Sequence, residues 1–162
     1  MNENEELTHL DRDGQARMVD VGEKDATQRE ARARATLRMN PETRRVLLTG
    51  QVPKGDALAA ARIAGIQAAK RTSELIPLCH PLAITGCDVV FEPADDEERF
   101  VIETSVRCTG RTGVEMEALT AAAVAALTLY DMLKAIDREM AIEEIVLVEK
   151  QGGRSGHYRR GR

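Results

Sequence analysis

Residues 29–39 read REARARATLRM, and the fold turns on whether this stretch is a helix or a strand. Ala31, Ala33, Ala35, Leu37 and Met39 alternate with Arg32, Arg34, Thr36 and Arg38. Ala and Arg favour helices by propensity. The alternation has period two, which places the apolar set on one side of an extended chain and the basic set on the other. Pattern is weighted above propensity here, so the stretch is read as a strand with one basic face.

Downstream, Asn40-Pro41 offers an N-cap and a proline at the first helical position, which predicts a short helix over PETRRVLL (41–48), ended by Gly50. A loop through Pro53, Lys54 and Gly55 follows. Asp56 then caps ALAAARIAGIQAAKR (57–71), whose closing Lys70 and Arg71 suit the negative end of a helix dipole. ITGCDVVFE (84–92) and RFVIETSVRC (99–108) read as two strands of a hairpin, joined by the acidic ADDEE (94–98). Gly110 and Gly113 lead into EALTAAAVAALTLYDMLKAI (117–136), long enough for a buried helix of about 30 Å. IEEIVLVEK (142–150) is the last strand.

The order is strand, helix, strand, strand, helix, strand. That is the ferredoxin-like split βαβ arrangement, an α+β sandwich with an antiparallel sheet covered on one face by helices. If the other sheet face is apolar as well, it needs a partner, and a homo-oligomer is expected.

The chain has 162 residues, enough for one domain with a substantial core. That domain is expected over 18–150, with MVDV (18–21) as its first apolar anchor. Residues 1–17 read as a flexible N-terminal tail and 151–162 as a flexible basic C-terminal tail. Two Phe, two Tyr and no Trp mean that the core is packed from Ala, Val, Ile, Leu and Met. A net charge of −4 argues against a nucleic-acid partner. Three cysteines do not make a disulfide framework. No apolar leader precedes the domain and no run approaches the roughly 18 apolar residues of a membrane span. A cytoplasmic protein with no membrane partner is expected.

The strap IPLCHPL (76–82) fences Cys79 and His80 between prolines, which stiffen it and keep it out of a helix. Zinc is disfavoured, because Cys79, Cys87, Cys108, His80 and His157 show no C-x-x-C or H-x-x-H spacing, and no metal site is expected. Neighbouring residues of an extended strap do not face each other, so a Cys-His nucleophilic pair is disfavoured too. What remains is a wall in which His80 donates to a polar or anionic ligand, or a merely packed thiol and imidazole.

Lys54 precedes a helix N-terminus, where anions are favoured, yet alone it reads as a solvated loop lysine. Glu115 and Glu117 flank Met116. An extended backbone would point both to one side, and a helix would part them by about 200°. Asp131 and Lys134, three apart, share a helix face, either as a surface ion pair or, if buried, as a coupled acid–amine pair able to move protons. Lys150 closes the last strand. Together these residues propose a pocket for a polyanionic ligand with a hydrogen-bonding ring.

The strings MVDVGEKDATQREARA, PKGDALAAARIAGIQAAKRTSELIPLCHPL, TGRTGVEMEALTAAAVAALTLYDMLKA and KQGGRSG resemble the cyclic pyranopterin monophosphate synthase family, the C proteins of molybdenum cofactor biosynthesis. The resemblance runs from about residue 18 to 156. It implies a ferredoxin-like subunit in a homohexamer, a trimer of dimers, with active sites at subunit interfaces. It also implies a phosphorus-oxygen lyase. The substrate is the GTP-derived (8S)-3′,8-cyclo-7,8-dihydroguanosine 5′-triphosphate, and the products are cyclic pyranopterin monophosphate and pyrophosphate. By motif, catalysis is assigned to Asp131, Lys54 and Lys134, and substrate binding to Leu78, Cys79, His80, Met116 and Glu117. Glu115 and Lys150 fit the same pocket, while Asp20 and Arg29 reach it from a neighbouring subunit. No cofactor is required by the sequence, and Mg²⁺ can accompany the triphosphate. Arg111 and Arg154 stand where many members resemble Lys. The rival reading is a ferredoxin-like regulatory module that binds a nucleotide without catalysis; Asp131 with Lys134 is the feature such a module would not need.

Overall fold

A computed structural model of the chain describes residues 9–161. Residues 1–8 of the expected N-terminal tail, and Arg162, lie outside the described residues. The elements are β1 (Thr27–Arg38), α1 (Pro41–Leu48), α2 (Ala57–Lys70), α3 (Thr72–Leu75), β2 (Ile84–Pro93), β3 (Arg99–Gly110), α4 (Glu115–Leu133), β4 (Ala141–Gln151) and β5 (Tyr158–Arg159). The sheet order is β2-β3-β1-β4-β5. REARARATLRM is indeed a strand, and it lies between β3 and β4 with both pairings antiparallel. The architecture is the expected α+β, ferredoxin-like one.

Small residues set the layer spacing. Ala31, Ala33 and Ala35 of β1 face α4, which returns Ala118, Ala121, Ala122, Ala125 and Ala126, all fully buried. Phe100, Ile102, Leu37, Leu129 and Leu133 fill the remaining core. At Gly65 of α2, an added Cβ would stand 3.1 Å from the Ala121 carbonyl oxygen and 3.2 Å from Val89, so α2 sits closely against α4 and β2. The Thr104 hydroxyl donates to the Ala118 carbonyl at 2.8 Å and ties sheet to helix inside the core.

Several details depart from expectation. Asn40 has the extended backbone of an N-cap, but its side chain makes no capping bond. The buried carboxylate of Asp137 anchors this helix start from outside, accepting from the Asn40 N–H at 2.9 Å and the Thr43 hydroxyl at 3.1 Å. Thr72–Leu75 adds a helical turn, and β5 pairs with β4 inside the stretch read as a basic tail.

The second sheet face is charged rather than apolar: Arg34 pairs with Glu144 at 3.2 Å and Arg38 with Glu143 at 3.3 Å. An exposed apolar sheet face is therefore not a reason for this chain to associate. Finally, α4 has the length and apolar composition of a membrane span, contrary to the expectation that no run comes close. Half of that stretch is buried in the fold, where α4 packs against β1, β3, β4 and α2 as a core helix does.

Candidate functional site

The polar residues that could act together gather at the two ends of α4. At the C-terminal end, Lys54 comes from the loop before α2, and its Nζ donates to the Asp131 carbonyl at 2.8 Å and lies 3.1 Å from Oδ2. Lys134, one turn on, holds Oδ1 at 2.8 Å. Lys54 is thus not a free loop lysine. It binds the negative end of the α4 dipole and the carboxylate displayed there. The two ammonium groups, Lys134 first and Lys54 second, hold Asp131 below the usual carboxylate range. The cluster is exposed, with the Asp131 side chain 57% accessible, so within one chain it is the surface form of the pair and not the buried form.

At the N-terminal end, α4 begins at Glu115, so Glu115 and Glu117 lie in a helical first turn and diverge. Glu115 pairs with Lys150 of β4 at 3.0 Å. Glu117 turns inward, is 4% exposed, and forms no ion pair among the described residues. Burial, with the nearby Glu115 charge, pushes its carboxyl above the usual range. Burial and then Glu117 also push the Cys79 thiol up, which keeps it protonated and suits a lining residue better than a nucleophile.

A cleft of about 350 Å³ lies here, with Leu78, Cys79 and His80 on one wall and Glu115, Met116 and Glu117 on another. The His80 Nε2 is 2.7 Å from the Val19 carbonyl. A carbonyl only accepts, so Nε2 carries the proton. The strap histidine therefore fastens residues 18–21 across the cleft, with Val19 and Val21 lining it. The sequence marked MVDV as an anchor but gave no sign of what it anchors to.

Beside this cleft, a second of about 520 Å³ lies between the start of β1, the turn at 111–113 and the loop after β4. Arg29 and Lys150 line it from the same chain. Asp20 instead closes a local turn, accepting from the Gly22 N–H at 2.7 Å. The loop owes its path to Gly152 (φ +98°) and Gly153 (φ +76°). A Cβ at 152 would run into the Gln28 carbonyl, and one at 153 into the Arg29 guanidinium.

One chain thus brings together Lys54, Asp131 and Lys134, and separately Leu78, Cys79, His80, Glu115, Met116, Glu117 and Lys150. It does not bring the two groups to each other: Asp131 lies fourteen positions after Glu117 on α4, about 21 Å along the axis. No cluster of three or more His, Cys, Asp or Glu suited to a metal occurs among the described residues.

Fold and site define a ferredoxin-like α+β protein with a carboxylate clamped by two ammonium groups at one end of its long helix and an ion-lined double cleft at the other. The chain belongs to the MoaC family, whose model matches residues 18–153. It is 61% identical to the cyclic pyranopterin monophosphate synthase of Pelotomaculum thermopropionicum, over 95% of this chain and 91% of that protein. The synthases of the same name from Chloroflexus aurantiacus (58% identical, 97% of this chain and 96% of the relative) and Thermomicrobium roseum (59%, 96% and 93%) are similar over nearly their whole lengths.

Proposed function

We propose that this chain is a cyclic pyranopterin monophosphate synthase of molybdenum cofactor biosynthesis. It converts (8S)-3′,8-cyclo-7,8-dihydroguanosine 5′-triphosphate to cyclic pyranopterin monophosphate and pyrophosphate, as a phosphorus-oxygen lyase of the cytoplasm. The observation that carries the reading is the clamp on Asp131: a lysine from the loop before α2 and one from the end of α4 converge on an exposed carboxylate.

The reaction needs repeated proton transfers while the purine-derived ring opens and recloses. A sugar hydroxyl then attacks the α-phosphorus, a P–O bond forms, and the α–β anhydride bond breaks to release pyrophosphate. Asp131, ionised between Lys54 and Lys134, accepts a proton and the ammonium groups return one. The buried Glu117 hydrogen-bonds the ring in the strap cleft, with Cys79, Leu78 and Met116 as its apolar lining. Fixed cations counter the phosphate charge without rearranging.

Since one chain holds the two clusters apart, the complete site is a joint one, formed in the proposed homohexamer, a trimer of dimers. The outer face of α4 supports this. Met116, Ala123, Leu127, Asp131 and Lys134 recur at helical spacing along one stripe, and Leu127 is 57% exposed. Two such helices laid antiparallel about Ala123 would cover Leu127 and set Met116 of one chain beside Asp131 of the other. Incubation of the protein with the cyclic GTP derivative tests the function: pterin product with equimolar pyrophosphate is expected. Tight binding without turnover would favour a regulatory nucleotide-binding module instead.

A further inference from the structure

We propose that His9 is a substrate-binding residue of the strap cleft, presented to the ring of the cyclic substrate by a hairpin of residues 9–17. The identity of the ligand rests on the proposed function; the placement of the imidazole does not. His9 lines the cleft of about 350 Å³, and with Val19, Val21 and Lys24 it makes the wall that the N-terminal segment contributes.

That placement is built from the backbone. The Arg17 N–H donates to the His9 carbonyl at 2.9 Å and the Asp11 N–H to the Gln15 carbonyl at 2.8 Å, with Leu10 bridged to Ala16 between them. Gly14, at φ +77°, turns the chain. Asp11 Oδ1 holds the turn by accepting from the Asp13 N–H at 2.9 Å and the Gln15 N–H at 2.8 Å. The return arm runs straight into Met18–Val21, where the Val19 carbonyl accepts from His80 Nε2 at 2.7 Å. His9 is thereby tied to the strap through Arg17 and Val19, and neither tie uses its side chain.

The imidazole is also unspent. Its carbonyl serves the hairpin, while the ring forms no hydrogen bond or ion pair among the described residues. The other polar groups of the cleft are more committed: His80 has its Nε2 proton on Val19, and Glu115 is paired with Lys150 at 3.0 Å. Glu117 lies on the helix wall, so a ring in the cleft meets a carboxyl from α4 and an imidazole from the hairpin. A neutral imidazole offers one donor and one acceptor. The lactam N–H and C=O of a guanine-derived ring call for that pair, and the imidazole exchanges its proton near neutral pH.

The test pairs steady-state kinetics on the cyclic GTP derivative with footprinting by diethylpyrocarbonate, which acylates accessible neutral imidazoles. Footprinting is done on full-length Asp131→Asn protein, so that the derivative is bound and not consumed. The derivative is expected to protect His9, read from peptide masses, and to leave His157, which lines neither cleft, as reactive as before. His9→Ala should raise KM about threefold to tenfold, the loss of one hydrogen bond, with kcat little changed. Asp11→Ala, which loosens the hairpin, should raise KM in the same direction, and the double variant should be no worse than His9→Ala alone. An unprotected His9, an unchanged KM in His9→Ala, or losses that add in the double variant would overturn the proposal and leave the synthase reading standing. Protection of His9 by a derivative that the wild type binds but does not turn over sustains the contact and overturns the synthase reading.

Discussion

The Lys54 ammonium and Asp131 are joined twice, at 2.8 Å to the main-chain carbonyl and at 3.1 Å to the carboxylate. One cation thus fixes both the last turn of α4 and the side chain it presents, while Lys134 holds the other oxygen at 2.8 Å. Neither oxygen of Asp131 is without a positive neighbour, and the group is kept ionised into the acid range.

Removing one of those neighbours should be visible directly. In Lys54→Met the carboxyl titration midpoint of Asp131, followed by carbon NMR, is expected to move up toward the ordinary aspartate range without reaching it, because Lys134 remains. A lowered carboxylate pKa contributes stability above the unfolded value and loses it as pH falls through the folded one. The exposure of this cluster keeps that contribution small. An unmoved midpoint would show that Lys54 does not act on the carboxylate.

Asp131→Asn keeps the shape of the side chain and removes its charge and basicity. Turnover should fall by about 10²–10⁴, while binding of the cyclic GTP derivative is retained and the melting temperature changes little. Retained activity would reject Asp131 as the acid–base group.

Glu117 runs in the opposite direction. Its burial raises the folded-state pKa above the unfolded one. The protonated form is therefore favoured by folding, and that advantage is present below the usual glutamate range and lost as pH rises through the folded value. Glu117→Gln should accordingly raise the melting temperature at pH 7–8 and change it little near pH 4. A loss of stability at both pH values would mean that the carboxylate has a compensating partner.

The Gly-rich loop offers a test by geometry. Gly152 has φ +98°, and its missing Cβ faces the Gln28 carbonyl, a backbone atom that cannot swing aside. Gly152→Ala is expected to displace the loop and raise KM for the cyclic derivative at least about tenfold, through loss of the Arg154 and Lys150 positions, with a stability cost of about 1–3 kcal/mol. Ala at Gly156, which meets nothing within 4 Å, should pay only for its φ of +69° and leave KM near wild type. Equal KM for the two variants would remove the loop from substrate binding.

Much of the fold was legible because period and punctuation agreed. Residues 29–39 alternated, and the chain buried that alternation at the centre of the sheet. Asp56 looked like a cap and accepts from the Ala59 N–H at 2.9 Å. Asn40 looked like one too, but its side chain caps nothing and its backbone N–H is held by a buried carboxylate 97 residues away, a contact that local sequence does not display. The charged outer face of the sheet was half visible in the arginines of β1; their partners Glu143 and Glu144 lie in β4, where no pattern announced them.

Of the candidate site, the residues were recognisable from strings such as LIPLCHPL and GVEMEA, while their contacts were not. Lys54 meets Asp131 across 77 residues, and His80 meets Val19 across 61. That the site is cut in two by the length of α4 follows only from where each loop folds back.

The most direct measurement of the joint site is subunit complementation. Asp131→Asn and Glu117→Ala, each first assayed alone and expected to be inactive, are unfolded together, refolded as a mixture and assayed for pyrophosphate release. If the Asp131 cluster of one chain works with the strap cleft of another, an equal mixture should recover about a quarter of wild-type activity, since half the dimers are mixed and each mixed dimer holds one intact site. A mixture as inactive as its components, with mixed oligomers shown to form, would contradict the account.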